Sequence, residues 1–359
     1  MEKLEARPTE EFDIDRGVLL YTHAQVLGRL GETKTAVDEL ERADALLRPR
    51  KDEHPGVFSE FLATRGSAIL AYEGPEAALP YYEEGLKIAE AHFGEQHPMV
   101  AIGYGNLGNN YQALNRLEDS ERTLRRTVEL MPQAFGPQHP YVARAKNSLA
   151  QTLTLRGDWE GGRATIAEGM SLARSIEPDG GPETRRLLET RAAIAAHEGD
   201  LDAARLDMQR LVDVAEQAGV VDHSLVWNIK KLAEYQVGLG RFDEATWRLE
   251  QADGYIETRL TDEPALAAQI AATYAYLHHE KREYEAAQKR FKQAEAGLSA
   301  TAGEKSLEWA EVREAHADLA AEMGLTGEAR QMYTALAQTY DEIEMPEDAA
   351  RVRSLISQL

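Results

Sequence analysis

The sequence contains no cysteine among its 359 residues, which excludes a disulfide framework and any metal site built from thiolates. It has no run approaching the roughly 18 consecutive apolar residues that cross a bilayer. The charged first residues, MEKLEARPTEEF, lack the apolar segment of a secretion signal. Basic residues are outnumbered, because 40 Lys and Arg stand against 62 Asp and Glu, for a net charge of −22. We therefore expect a soluble cytoplasmic protein that does not bind nucleic acid or membranes.

Motifs that carry chemistry are also scarce. The sequence has no P-loop, nucleophile elbow or HExxH motif. The stretch from Gly103 to Gly108 matches GxGxxG, but it lies within a predicted helix instead of between a strand and a helix, so we do not expect it to bind a dinucleotide. His278 and His279 are neighbours that diverge by about 100° on a helix and cannot both face one ion. We therefore predict no enzyme activity, no metal and no cofactor.

What the sequence does contain is a repeat of about 42 residues. FGEQHP ends at Pro98, FGPQHP ends at Pro140, and Pro182 follows at the same spacing. Proline fits the first turn of a helix, so each predicts a helix start. Three further positions recur in this register. The first is small (Ala24, Gly66, Gly108, Ala150, Ala192, Ala233, Ala275, Ala317), the second is small (Ala36, Ala78, Ser120, Gly162, Ala204, Ala245, Ala287, Ala329), and the third is large and apolar (Leu40, Tyr82, Leu124, Ile166, Met208, Leu249, Phe291, Tyr333).

These positions predict a stack of antiparallel helix pairs. A small residue on each helix lets the two backbones approach closely, and the large residue one turn later fills the groove between that pair and the next. A generic Ala-rich bundle would show heptad periodicity without this recurrence. First helices are predicted to start near Asp13, Pro55, Pro98, Pro140, Pro182, His223, Pro264 and Glu304. Second helices are predicted to start near Thr33, Pro75, Leu117, Trp159, Leu201, Phe242, Tyr284 and Thr326.

The segment LGNNYQALNRLEDSERTL, from Leu107 to Leu124, resembles the tetratricopeptide repeat. The longer unit with an FGxxHP linker is similar to the kinesin light chain type, which is also common in bacterial signalling proteins, including C-terminal regions of some serine/threonine kinases. The resemblance extends over residues 13–343. It implies that the first helix of each repeat lines a concave groove.

The predicted fold is all-α: a right-handed α-solenoid of about eight helix-turn-helix repeats that occupies residues 12–344. Residues 1–11 are predicted to be a polar N-terminal tail. Residues 345–359 are predicted to form a C-terminal capping helix that begins at Pro346 and covers the open end of the stack. Its predicted apolar side consists of Ala350, Val352, Leu355, Ile356 and Leu359.

Two first helices depart from the acidic character of the chain. The stretch from Pro98 to Leu114 has no charged residue, and the stretch from Pro140 to Arg156 has three basic residues and no acidic one. Asn and Gln can donate to and accept from the backbone of an extended peptide, and the kinesin light chain resemblance implies this role for the asparagines. The predicted groove residues are Asn106, Asn109, Gln112, Arg144, Asn147, Gln151, Arg186, Lys230 and Lys231.

Two interpretations of function stay open. The first is a non-enzymatic adaptor that binds an extended peptide segment of a partner protein, with the cations favouring acidic residues in that peptide. The second is a regulatory or sensor region that works with a signalling enzyme such as a bacterial serine/threonine kinase. The Lys/Asn/Asn/Lys/Arg clamp that some tetratricopeptide proteins use for a terminal carboxylate is incomplete here. The groove residues also fit ordinary solvated positions.

Overall fold

A computed structural model of the chain describes residues 12–177 and 181–359. Across those residues the chain forms seventeen α-helices and one short 3₁₀ turn, Arg48–Arg50, and no strand. The all-α prediction is confirmed. The predicted polar tail, residues 1–11, lies outside the described residues.

The helices are grouped into two compact units, Met1–Thr190 and Arg191–Leu359. Helix α9 (Pro182–His197) begins in the first unit and ends in the second. The other helices of the first unit are α1 (Asp13–Arg29), α2 (Thr33–Leu47), α3 (Pro55–Tyr72), α4 (Pro75–Phe93), α5 (Pro98–Ala113), α6 (Leu117–Phe135), α7 (Pro140–Leu155) and α8 (Trp159–Ile176). Those of the second unit are α10 (Leu201–Gln217), α11 (His223–Gly238), α12 (Phe242–Thr258), α13 (Pro264–Glu280), α14 (Tyr284–Thr301), α15 (Leu307–Glu322), α16 (Thr326–Glu342) and α17 (Pro346–Gln358).

The predicted helix starts agree with the observed ones except at α15. That helix begins at Leu307, three residues after the predicted Glu304. The reason is a local cap: the Ser306 hydroxyl accepts a hydrogen bond from the Trp309 amide at 3.3 Å. A serine at this position satisfies an amide of the first turn, which has no partner within the helix.

The FGxxHP linkers are compact helix caps. Nδ1 of His97 accepts a hydrogen bond from the Met99 amide at 3.2 Å, and Nδ1 of His139 accepts one from the Tyr141 amide at 3.2 Å. The Phe93 ring stacks on His97 with 4.0 Å between ring centroids. The histidine of each motif therefore links the end of one helix to the start of the next.

All three recurring positions are buried in every repeat. A Cβ atom added at Gly108 would lie 2.7 Å from Cγ of Leu124, and one added at Gly66 would lie 2.7 Å from the Tyr82 ring. The large residue therefore contacts the small residue of its own helix pair. Leu124 also packs against Leu149 and Leu153 of the next pair, as the sequence predicts. A small first position is needed because the partner helix already fills the space that a side chain would take.

Helix α17 packs its apolar side against α16. Val352 is fully buried, and Leu355, Ile356 and Leu359 are partly buried in the same cluster. Ala350 is exposed and Ala349 takes the buried position that the sequence assigned to Ala350. The difference of one residue reflects the helical rotation of about 100° per residue, which turns Ala350 away from α16.

Candidate functional site: a groove on the first helices

A cavity of about 160 Å³ lies between α5 and α7 in the first unit, with α6 behind it. Small residues at Gly105, Ala145 and Ser148 leave the space open. We call it the α5–α7 cavity. It is lined by Ile102, Gly105, Asn106, Asn109, Leu124, Thr127, Met131, Tyr141, Arg144, Ala145 and Ser148.

The α5–α7 cavity joins apolar and amide surfaces. Leu124 and Met131 are buried and supply apolar walls. Asn106 is partly buried and Asn109 is exposed, and neither side-chain amide has a hydrogen-bond partner within residues 12–177 and 181–359. Each amide can donate two hydrogen bonds and accept two. The cavity therefore offers unpaired amides beside an apolar surface.

A larger cavity of about 560 Å³ runs along α1, α3 and α5. Its walls are mostly small or apolar, including Ala63, Ala71 and Ile102, with Glu60 and Arg29 as charged members. Ile102 and Asn106 line both this cavity and the α5–α7 cavity, so the two adjoin there. Together they form what we call the first-helix groove.

Arg144 lines the α5–α7 cavity but is not a free cation. Its guanidinium forms a two-point ion pair with Glu183, whose side chain is 6% exposed. Its carbon lies 5.0 Å from the centroid of the Tyr141 ring. The hydrogen bonds to Glu183, opposed by burial, raise the pKa of Arg144. The guanidinium is thus held in one position while its charge is offset.

The other basic residues of the stretch from Pro140 to Arg156 are also paired with acids. Lys146 forms an ion pair with Glu168 at 2.5 Å. Arg156 forms ion pairs with Glu118, at 3.2 Å, and with Glu121. The positive charge that the sequence indicated for this helix is therefore balanced by acids on neighbouring helices. Because those acidic residues belong to other helices, counting the charges within one helix does not reveal the pairing.

Asn147 has a structural contact. It is 7% exposed, and its Oδ1 accepts a hydrogen bond from the Thr190 hydroxyl at 2.8 Å. Gln112 and Gln151 are partly exposed and line neither cavity of the groove. Arg186 is exposed, with Nε 3.9 Å from Glu183. The structure therefore brings together Asn106, Asn109 and Arg144 from the predicted set.

Lys230 and Lys231 lie on α11 in the second unit. Both ammonium groups pair with Glu234, at 2.5 Å and 3.0 Å. Both also lie near the Trp227 ring, at 4.8 Å and 5.4 Å from its centroid. They line a separate cavity of about 220 Å³ that also contains Glu308 and Glu311. Three carboxylates thus face two ammonium groups, so this cavity does not have the positive character that the two lysines alone suggest.

Burial and neighbouring charges shift the pKa values of three side chains that line this second-unit cavity. Burial lowers the pKa of Lys230, against the opposing effect of Glu234. Burial opposes ionisation of Glu234, but the two lysines outweigh it and lower the pKa of its carboxyl. Desolvation and Glu308 raise the pKa of Glu311.

Sequence reasoning missed several residues of the α5–α7 cavity. Thr127 and Met131 come from α6, a second helix, and Tyr141 comes from the first turn of α7. The position of Tyr141 directly after the His-Pro pair is a signal that could have found it. Thr127 and Met131 are spaced by one helical turn on the side of α6 that faces α5.

No helix in the described parts of the chain is long and apolar enough to cross a membrane. The same residues contain no group of three His, Asp or Glu side chains placed to hold a metal ion.

Comparisons with known proteins agree with the repeat. Residues 65–133 match the tetratricopeptide repeat family. The chain is 28% identical over 163 residues to Protein KINESIN LIGHT CHAIN-RELATED 3 of Arabidopsis thaliana. That alignment covers 45% of this chain and 23% of the relative, so the chain spans about a quarter of the length of that protein. The chain thus resembles tetratricopeptide repeat proteins over residues 65–133 and is similar to a kinesin light chain-related protein over 163 residues.

Solved structures share the fold at low sequence identity. The apo form of the quorum sensor NprR from B. thuringiensis has a TM-score of 0.66 at 13% identity, covering 99% of this chain and 90% of that one. A Rap protein complexed with competence and sporulation factor has a TM-score of 0.62 at 13% identity, covering 99% and 89%. At this identity the likeness concerns the fold alone.

Proposed function

We propose that the chain is a non-enzymatic, cytoplasmic adaptor that binds an extended segment of a partner protein in the first-helix groove. The observation that carries this proposal is that Asn106 and Asn109 both line the α5–α7 cavity. Their side-chain amides have no hydrogen-bond partner among the described residues and lie beside an apolar wall. Unpaired amides at the rim of an apolar cavity suit a ligand with both backbone and side-chain groups.

The spacing of the two asparagines fits an extended chain. Residues three apart on a helix have Cβ atoms about 5–6 Å apart. Peptide groups two residues apart on one edge of a strand are separated by about 6.6 Å. Asn106 and Asn109 can therefore each pair with a peptide group of one extended segment, while a side chain between them enters the cavity.

The charge preference of the groove follows from its ion pairs. The carboxylate of Glu183 offsets the charge of Arg144. We therefore expect Arg144 to contribute a hydrogen-bond donor in a fixed position and little net charge. Arg186 is more exposed and lies farther from Glu183, so it carries what preference for acidic peptide residues there is. The net charge of −22 supports a protein partner over nucleic acid.

The test is a panel of random peptides displayed on phage and selected on the immobilised chain. Selected peptides are then measured by fluorescence anisotropy against the wild type and the Asn106→Ala/Asn109→Ala variant. Loss of two amide pairs worth about 0.5–1.5 kcal/mol each should weaken binding by roughly 5- to 150-fold. Asn228→Ala, a helical asparagine of the second unit that lines no cavity of the first-helix groove, is the matched control.

Retained affinity in the double variant, with circular dichroism unchanged, would contradict a role for the asparagines. Asn147→Ala is unsuitable as a binding probe because it leaves the buried Thr190 hydroxyl without its partner.

A regulatory or sensor role beside a signalling enzyme is the second candidate. It is favoured by the likeness of fold to a quorum sensor and to a Rap protein that is complexed with a factor. A regulator must change its conformational populations when its ligand binds. Altered hydrogen exchange in the second unit on binding of a selected peptide would favour this candidate over a rigid adaptor.

A further inference from the structure

The outward side of α1 carries an apolar stripe. Leu19, Val26 and Leu30 are 54%, 48% and 69% exposed, and Phe12, directly before the helix, is 36% exposed. Their spacings of seven, seven and four residues place all four on one side of the helix. We call these four residues the α1 stripe. The residues that α1 buries lie on the other side: Gly17, Tyr21, Ala24 and Leu27.

Nothing in residues 12–177 and 181–359 covers the α1 stripe, since all four of its members stay exposed. In the second unit, by contrast, α17 covers the apolar side of α16. Single exposed apolar residues are ordinary, but a contiguous apolar stripe marks an interaction surface.

One flank of the α1 stripe carries a self-complementary set of charges. Asp15, Thr22 and Arg29 follow one another at intervals of seven residues, and all three are exposed. Neither Asp15 nor Arg29 forms an ion pair with a residue that the structure describes. The acidic residue lies near the start of the helix and the basic residue near its end.

Two antiparallel copies of α1 would satisfy these charges. In an antiparallel helix pair each flank meets the same flank of the other copy, so Asp15 of one copy faces Arg29 of the other, twice. The midpoint of Asp15 and Arg29 is Thr22, and the midpoint of Leu19 and Val26 lies between positions 22 and 23. One two-fold axis therefore pairs the charges and the apolar residues together. In a parallel pair each flank would instead meet the opposite flank of the other copy, so Asp15 and Arg29 would not face each other.

We propose that two copies of the chain associate through α1, antiparallel, about a two-fold axis near Thr22. Such an interface is isologous, so it closes as a dimer. One helix with four apolar side chains buries less than the roughly 1,200 Å² of a stable complex. The dimer is therefore weak, and it forms at micromolar concentrations. Four residues of α1 line the first-helix groove: Ala24, Gln25, Gly28 and Arg29. Only Arg29 also belongs to the paired surface, so the dimer leaves the other three accessible.

The first arm of the test is sedimentation equilibrium of the full chain between about 1 and 200 µM. The wild type should pass from monomer to dimer over this range. Leu19→Glu should remain monomeric, whereas Leu206→Glu, which changes a 57% exposed leucine of the second unit, should behave as the wild type. Circular dichroism confirms that each variant is folded.

The second arm tests the antiparallel register. Asp15→Arg and Arg29→Asp should each weaken self-association by about tenfold or more, because each places like charges opposite each other. An equimolar mixture of the two variants should associate at least as tightly as the wild type, since both facing pairs are then opposite in charge. A mixture no tighter than either variant alone would overturn the proposal. A wild type that stays monomeric throughout would also overturn it, and would assign the stripe to residues 1–11 or to a different protein.

Discussion

Lys230 depends on Glu234 to carry its charge inside the second unit. Its side chain is 10% exposed, and its ammonium lies 2.5 Å from Glu234 and 4.8 Å from the centroid of the Trp227 ring. Burial lowers the pKa of Lys230, which shows the cost of keeping an ammonium group there. Removing one partner of a buried pair is costly because the other charge stays behind.

We predict that Glu234→Gln destabilises the second unit by about 1–3 kcal/mol at pH 7. Because the pKa of Glu234 lies below its ordinary value of 4.5, its stabilising effect is present above that pH. The effect is lost as the pH falls through the lowered pKa of the folded state. Urea unfolding at pH 7 and near pH 3 should therefore show a difference between wild type and variant that shrinks at acid pH.

The control for this change is Glu308→Gln, which alters an exposed carboxyl of the same cavity. Its free energy of unfolding should match the wild type within about 0.5 kcal/mol. An equal loss in both variants would mean that the net charge of the cavity, and not the pair with Lys230, sets the stability.

At the scale of helix pairs, the packing of α5 on α6 depends on a missing side chain. Leu124 of α6 occupies the space beside Gly108 of α5. This contact determines how closely the two helices approach, and it fixes one wall of the α5–α7 cavity because Leu124 also lines it.

Gly108→Ala should destabilise the first unit by about 1–3 kcal/mol, because the added Cβ overlaps Leu124. Gly28→Ala is the matched control, since nothing lies within 4 Å of a Cβ added there. That control should be neutral or stabilising by up to about 1 kcal/mol, because alanine favours a helix interior over glycine. The measurement is the free energy of urea unfolding of both variants. An equal loss of stability at Gly28 and Gly108 would show that overlap with Leu124 is not the cause of the destabilisation.

The helices were predictable from the sequence because their signals are local. Proline, small turn residues and the recurring positions lie within the helices that they define, so the starts of all eight second helices were correct. The contacts between helices were not predictable from one helix, because the ion pair of Arg144 with Glu183 spans 39 residues and the hydrogen bond of Thr190 to Asn147 spans 43. Both separations are close to one repeat, so a search one repeat ahead of each polar residue would have found them.

At the scale of the whole molecule, the net charge acts on a partner at a distance, whereas the first-helix groove acts only on contact. The net charge of −22 acts over the Debye length of about 8 Å and disfavours acidic partners in general. The α5–α7 cavity selects by contact, through two amides and apolar walls. Of the nine residues predicted to line the groove, Asn106 and Asn109 both line the α5–α7 cavity. The sequence could not show that Arg144, Lys230 and Lys231 are paired with carboxylates.

The measurement that tests the groove most directly is site-specific photocrosslinking of a selected peptide to the chain. A benzophenone amino acid replaces Ser148, which lines the α5–α7 cavity, in one variant, and Gln133, an exposed residue of α6 outside it, in another. We expect the peptide to crosslink at position 148 and not at 133, and an excess of unlabelled peptide to suppress the product. Crosslinking at 133 with none at 148 would place the peptide on the second helices and contradict binding in the first-helix groove.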